Sequence, residues 1–110
     1  MITLLVLYRH PDGEAEALET LERRYRTEHL PIVAKTPGLR ATRVWRVVEA
    51  LGTPTDYVLA CAMDFDDRPS LDAGLRSEPM RAAGKVLREI APDLATFLIV
   101  ADAPDLFPRA

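Results

Sequence analysis

Cysteine is almost missing: Cys61 is the only one in 110 residues, so no disulfide can form within the chain and packing alone must hold the fold. That usage suits a reducing, cytoplasmic setting. Histidine is nearly as scarce, with His10 and His29 alone, and no His or Cys pair has a metal-ligand spacing, so no metal is expected. The five glycines stand singly at positions 13, 38, 52, 74 and 84. That scatter gives neither a phosphate-cradling loop nor a dinucleotide fingerprint, and no cofactor is expected. A basic excess is also lacking: 14 Lys and Arg against 17 Asp and Glu leave a net charge of −3. Such a balance argues against a nucleic-acid partner. The N-terminal apolar run, Ile2 to Tyr8, has no basic lead and no small-residue cleavage site. It is too short to span a bilayer and is expected to be neither a signal peptide nor a membrane anchor.

What is present reads as one α+β domain over residues 1–102 with a tail at 103–110, long enough to bury roughly two thirds of the unfolded surface. Ile2 to Tyr8 reads as a buried strand that "RHPDG" ends. From Glu14 the period changes: Leu18, Leu21, Tyr25, His29 and Ile32 recur at helical spacing until "KTPG". "ATRVWRVVEA" and "YVLACAMDF" read as two strands joined by a reversal at "LGTPTD". Residues 66–93 carry a helical pattern that Pro79 divides into a short piece and a longer one, and "LATFLIVAD" is the last strand.

The order is β-α-β-β-α-β. Right-handed crossovers and a central hairpin point to a ferredoxin-like split sandwich whose antiparallel sheet runs 4-1-3-2. One feature conflicts with a sheet that has helices on one side and water on the other. Tyr57, Leu59, Cys61, Met63 and Phe65 share one face of strand three, yet Val58, Ala60 and Ala62 on the other are apolar too. Phe97 and Ile99 against Leu98 and Val100 repeat this in strand four. Two helical segments cannot cover both sides, so a homodimer packed sheet face to sheet face is expected.

"LYRHPDG" after the first strand, "YRTEHLPIVAKTPGL" at the end of helix one and the Val-rich strand that follows resemble the EthD family, named for ethyl tert-butyl ether degradation. The resemblance covers almost the whole chain. It implies a dimeric α+β barrel, in which two ferredoxin-like subunits close their sheets against each other. Relatives of that superfamily act as lactone isomerases, polyketide cyclases, cofactor-free monooxygenases or haem-degrading enzymes, so the fold does not name the chemistry.

His29 shares a helix face with Leu18, Leu21, Tyr25 and Ile32, so its ring should point at the sheet. An imidazole titrating near neutrality can give or take a proton, and a carboxylate such as Asp64 can fix its tautomer. The competing reading is a buried histidine tied to a backbone carbonyl that helps finish the helix. Pro31 lacks an N–H and should kink the helix, opening a small cleft beside the ring. An axis laid back along strand one would put His29 near Asp64 and roughly 20 Å from Tyr8, at 3.3 Å per residue. Tyr25, one turn earlier, can donate a hydrogen bond to a bound carbonyl or simply pack. Ile32, Trp45 and Cys61 complete the expected substrate pocket; Trp45 fits core or interface packing equally, and the Cys61 thiol should stay protonated in its apolar strand. The catalytic set is thus His29, Tyr25 and Asp64, in a protein that binds a small apolar carbonyl or aromatic compound and moves a proton without a cofactor. A non-catalytic binder of hydrophobic metabolites and a redox accessory in ether or aromatic degradation are the alternatives.

Overall fold

The computed structural model describes residues 1–107. Four strands, β1 (Ile2–Arg9), β2 (Ala41–Arg46), β3 (Tyr57–Phe65) and β4 (Ala95–Ala101), form one antiparallel sheet in the order β2-β3-β1-β4. This is the ferredoxin-like arrangement, with its 4-1-3-2 order counted from the opposite edge. Of the tail at 103–110, residues 108–110 lie outside the described residues. None of the described helices is long and apolar enough to cross a membrane.

Strand pleating sorts the side chains, because residues paired across antiparallel strands share a face. Val44, Cys61, Val6 and Phe97 form one continuous row, and Thr42, Met63, Leu4 and Ile99 the next. The central members, Leu4, Val6, Cys61 and Met63, are buried beneath the helices. The reverse face carries Trp45, Ala60, Leu7 and Thr96 in one row and Arg43, Ala62, Leu5 and Leu98 in another. Its apolar residues stay open at the edges: Trp45 is 43% exposed, Leu98 44% and Val100 42%.

The helical layer explains how "YRTEHLPIV" folds. Leu21, Tyr25, His29 and Val33 are all buried at a constant step of four. In a regular α-helix each such step overshoots a full turn by about 40°, and three steps would walk the stripe off the sheet. The chain corrects this with an extra residue. α1 (Ala15–Arg24) runs into a π-helical turn (Tyr25–His29), in which the Leu30 N–H reaches back five residues to the Tyr25 carbonyl, and α2 (Leu30–Val33) follows. Pro31 sits in the first turn of α2, where a missing N–H costs least. The kink expected at Pro31 is therefore a widened turn just before it, through which the helix continues. Such turns are frequent at functional sites.

α3 (Arg68–Arg76) and α4 (Glu78–Ile90) meet at Ser77, two residues before the boundary expected at Pro79. The Asp67 side chain accepts the Ser70 N–H to start α3, and Ser77 Oγ accepts the Met80 N–H to start α4. α3 packs closely at Gly74, where a Cβ would stand 2.8 Å from the Phe65 ring and 3.2 Å from Thr36 Cγ2. At Gly84 in α4 the nearest atom to such a Cβ, Arg88 Nη1, is 3.7 Å away. Gly74→Ala should cost about 1–3 kcal/mol in urea denaturation through overpacking, whereas Gly84→Ala should be neutral or stabilise by up to about 1 kcal/mol. Equal effects would contradict this packing.

Candidate functional site

The π turn delivers His29 into the gap between the helices and the sheet. The residue is 4% exposed, and Nδ1 lies 3.0 Å from the carbonyl oxygen of Ala83 in α4. A carbonyl only accepts, so Nδ1 carries the proton and Nε2 of the neutral ring is left as an acceptor. Burial lowers the His29 pKa below its ordinary value, and the bond to Ala83 partly offsets that shift. The ring is therefore a neutral base at neutral pH. Among the described residues Nε2 has no hydrogen-bond partner, yet Thr36 Oγ1 is the one side-chain atom there both sealed and unpartnered. Nε2 thus keeps access to open space.

That space is a cavity of about 480 Å³ between α3, α4 and the β1–β4 half of the sheet. His29 lines it with Leu4, Met63, Met80, Phe97 and Ile99, among others, and the other polar side chains there among the described residues are Tyr8 and Arg88. Phe97 and Ile99 face the helical layer but remain 58% and 41% exposed. The helices cover the centre of the sheet and leave this side of β4 open. An apolar hollow of this size with a few convergent polar groups is the usual form of a small-molecule site.

Behind the imidazole stands an aromatic ladder. Tyr25 stacks on His29 with centroids 4.9 Å apart and meets Tyr8 edge to face at 5.1 Å. The two tyrosine hydroxyls are 3.0 Å apart. Burial raises both tyrosine pKa values and that of the Cys61 thiol, so all three stay protonated. The ladder holds the ring plane without adding charge.

Tyr8 corrects one expectation. Ten residues at 1.5 Å carry the helix about 15 Å from Ala15 to Tyr25, which would bring Tyr25 back beside Leu4 if the axis followed β1. The two hydroxyls nonetheless meet, because both long side chains reach toward each other in the layer between helix and sheet. Tyr8 is consequently one aromatic ring away from His29, not a strand length away.

Asp64 is not brought to His29. It falls between Met63 and Phe65, which face the helices, so its own side chain emerges on the reverse face. There it accepts a 2.6 Å hydrogen bond from Thr3 and lies 3.8 Å from Arg43. Ala83 does the tautomer-fixing expected of it. Tyr25 meets the ring but backs it and does not line the cavity. Cys61 lies fully buried in the row beneath the helices, and Ile32 is half-buried against the core; neither lines the cavity. Trp45 pairs with Ala60 and so stands on the reverse face, with the Arg43 guanidinium 5.1 Å from its ring centre. It borders a smaller hollow, of about 220 Å³, that shares no residue with the His29 cavity. Sequence reasoning missed Tyr8, Arg88 and the exposed inner face of β4; the matching parity of Phe97 and Ile99 with Val6 and Leu4 was the available signal.

No family model matches the chain, and no curated protein matches it. Solved structures do. An ethyl tert-butyl ether degradation (EthD) family protein from Bacillus halodurans is 30% identical, with a TM-score of 0.84 over 94% of this chain and 99% of that one. A dimeric protein of ferredoxin-like fold from Bacteroides fragilis is 18% identical, with a TM-score of 0.68 over 92% and 95% of the two chains. A Dabb family protein with a ferredoxin-like fold from Mesorhizobium loti is 12% identical, with a TM-score of 0.71 over 93% and 97%.

The lowered His29 pKa fixes a pH signature. Between the usual value near 6.5 and the lower folded value, the unfolded chain binds a proton that the folded one refuses. This part of the stability is complete above that window and is lost as pH falls through it. Proton NMR should place the His29 ring midpoint below about 6.5, with His10→Asn assigning the signal; a midpoint at or above that value would contradict the buried neutral ring.

Proposed function

The chain belongs to the EthD family, and on that premise we propose that it binds a small, largely apolar carbonyl or aromatic compound in the His29 cavity and moves a proton on it without a cofactor. One observation carries the reading: His29, a neutral imidazole whose Nε2 has no hydrogen-bond partner among the described residues, lines an apolar space of ligand size. In such a space Nε2 can take a proton from the carbon next to a bound carbonyl and return it at another atom. The resulting imidazolium keeps its Nδ1 bond to Ala83, now a charge-assisted one. Tyr25 supports the ring from behind. Tyr8, at the cavity wall, is the nearer hydroxyl for a substrate oxygen.

A second reading has its own support. Among the described residues no carboxylate bonds His29, so little there rewards a charged imidazolium, and a protein that only holds a hydrophobic metabolite needs no more than the apolar lining.

The homodimer belongs to the same proposal. Trp45, Leu5, Leu7 and Leu98 make the helix-free face a poor match for water, and a second copy laid on it would form the dimeric α+β barrel. Among the similar structures, those from Bacteroides fragilis and Thermobifida fusca are dimeric. The free Cys61 supports a cytoplasmic location.

Deuterium uptake from D2O next to the carbonyl of bound 1-tetralone tests the chemistry without a known product. Wild type should accelerate it, and His29→Gln should slow it by about 100-fold or more. Equal rates would remove proton transfer, and retention of the ketone without exchange would select the binding reading. Leu98→Glu, measured by analytical ultracentrifugation, should convert a dimer to monomers; a monomeric wild type would contradict the sheet-face interface.

A further inference from the structure

α4 passes the cavity with Met80, Gly84 and Arg88 at four-residue spacing, and all three line it. Gly84 leaves room on that face. A Cβ there would lie 3.7 Å from Arg88 Nη1, which places the guanidinium back along its own helix, over the gap left by the missing side chain. An exposed arginine gains more freedom by extending into water, so this position keeps the charge at the cavity rim. Arg88 has no ion-pair partner among the described residues. Asp93, with which it borders an adjoining hollow of about 200 Å³, stays outside ion-pair distance.

The combination is specific. Among the described residues the interior is apolar, the one base in the lining is neutral, and the one charged group there is a planar fork of five N–H donors whose geometry matches an oxyanion. The chain as a whole carries a net charge of −3, which disfavours anions in general, so a preference for one has to come from a local group.

We propose that the His29 cavity selects small apolar acids, the ring or alkyl body filling the apolar interior while a carboxylate or other oxyanion is held by Arg88 at the rim. This rests on the ligand-binding reading above and adds the substrate class. It also sets orientation: the anionic end is anchored at the mouth, and the body of the molecule is directed at His29 Nε2.

The test uses 2-naphthoate and its neutral methyl ester, titrated calorimetrically into the purified protein, with the His29 ring signals reporting whether the cavity is occupied. Wild type should bind the acid about tenfold more tightly than the ester, as a charge-assisted hydrogen bond implies. Arg88→Gln should erase that preference while changing ester affinity by less than about twofold, and Arg81→Gln, on the exposed part of the same helix, should keep the preference. A preference that survives in Arg88→Gln, or wild type binding both probes alike, would overturn the assignment to Arg88 and leave the cavity reading standing. Neither probe moving the His29 signals would overturn both.

Discussion

The hydrogen bond from His29 Nδ1 to the Ala83 carbonyl is the contact on which the site depends. It joins the first helical segment to α4 beside the cavity, fixes the tautomer and leaves Nε2 without a partner among the described residues. It exists because the helix widens by one residue between Tyr25 and His29 and so holds a four-residue stripe against the sheet. Pro31 is compatible with that turn because it falls at the start of the next helical piece. A regular helix finished with leucine and alanine would be simpler, but it would rotate residue 29 away from this gap.

The two faces of the sheet answer different demands. The inner face is sealed at its centre by Leu21, Tyr25, Val33, Leu71 and Leu87, and stays open where Phe97 and Ile99 wall the cavity. The reverse face is largely apolar apart from the Thr3–Asp64–Arg43 group and Thr96, and has no helices to cover it. One side thus offers a hollow of ligand size and the other an apolar surface large enough for a second copy. The tight fit of Gly74 against Phe65 holds α3 down on the sheet, and α4 can then form the cavity's outer wall.

Much of this was legible in the sequence, for reasons that can be traced. Period-two alternation placed Cys61 and Met63 on one face and Ala60 and Ala62 on the other, and the element order allowed one antiparallel solution, so the sheet order followed. The inward placement of His29 followed from its spacing with Leu21 and Tyr25. The partners of His29 did not follow. Asp64 was placed by which strand end it occupies, whereas pleat parity, which sends it to the reverse face, decides what it can touch. Tyr8 stands nearer than strand length implies, because its long side chain meets Tyr25 in packing that no local pattern records. Arg88 carried no signal at all, since an arginine on a helix reads as solvated until its neighbours in space are known.

The most direct test of this account is the nitrogen spectrum of the His29 ring in 15N-labelled protein at neutral pH, through long-range proton–nitrogen correlations. A protonated Nδ1 and an unprotonated Nε2 on a neutral ring are expected. A proton on Nε2, or a fully protonated imidazolium, would contradict it.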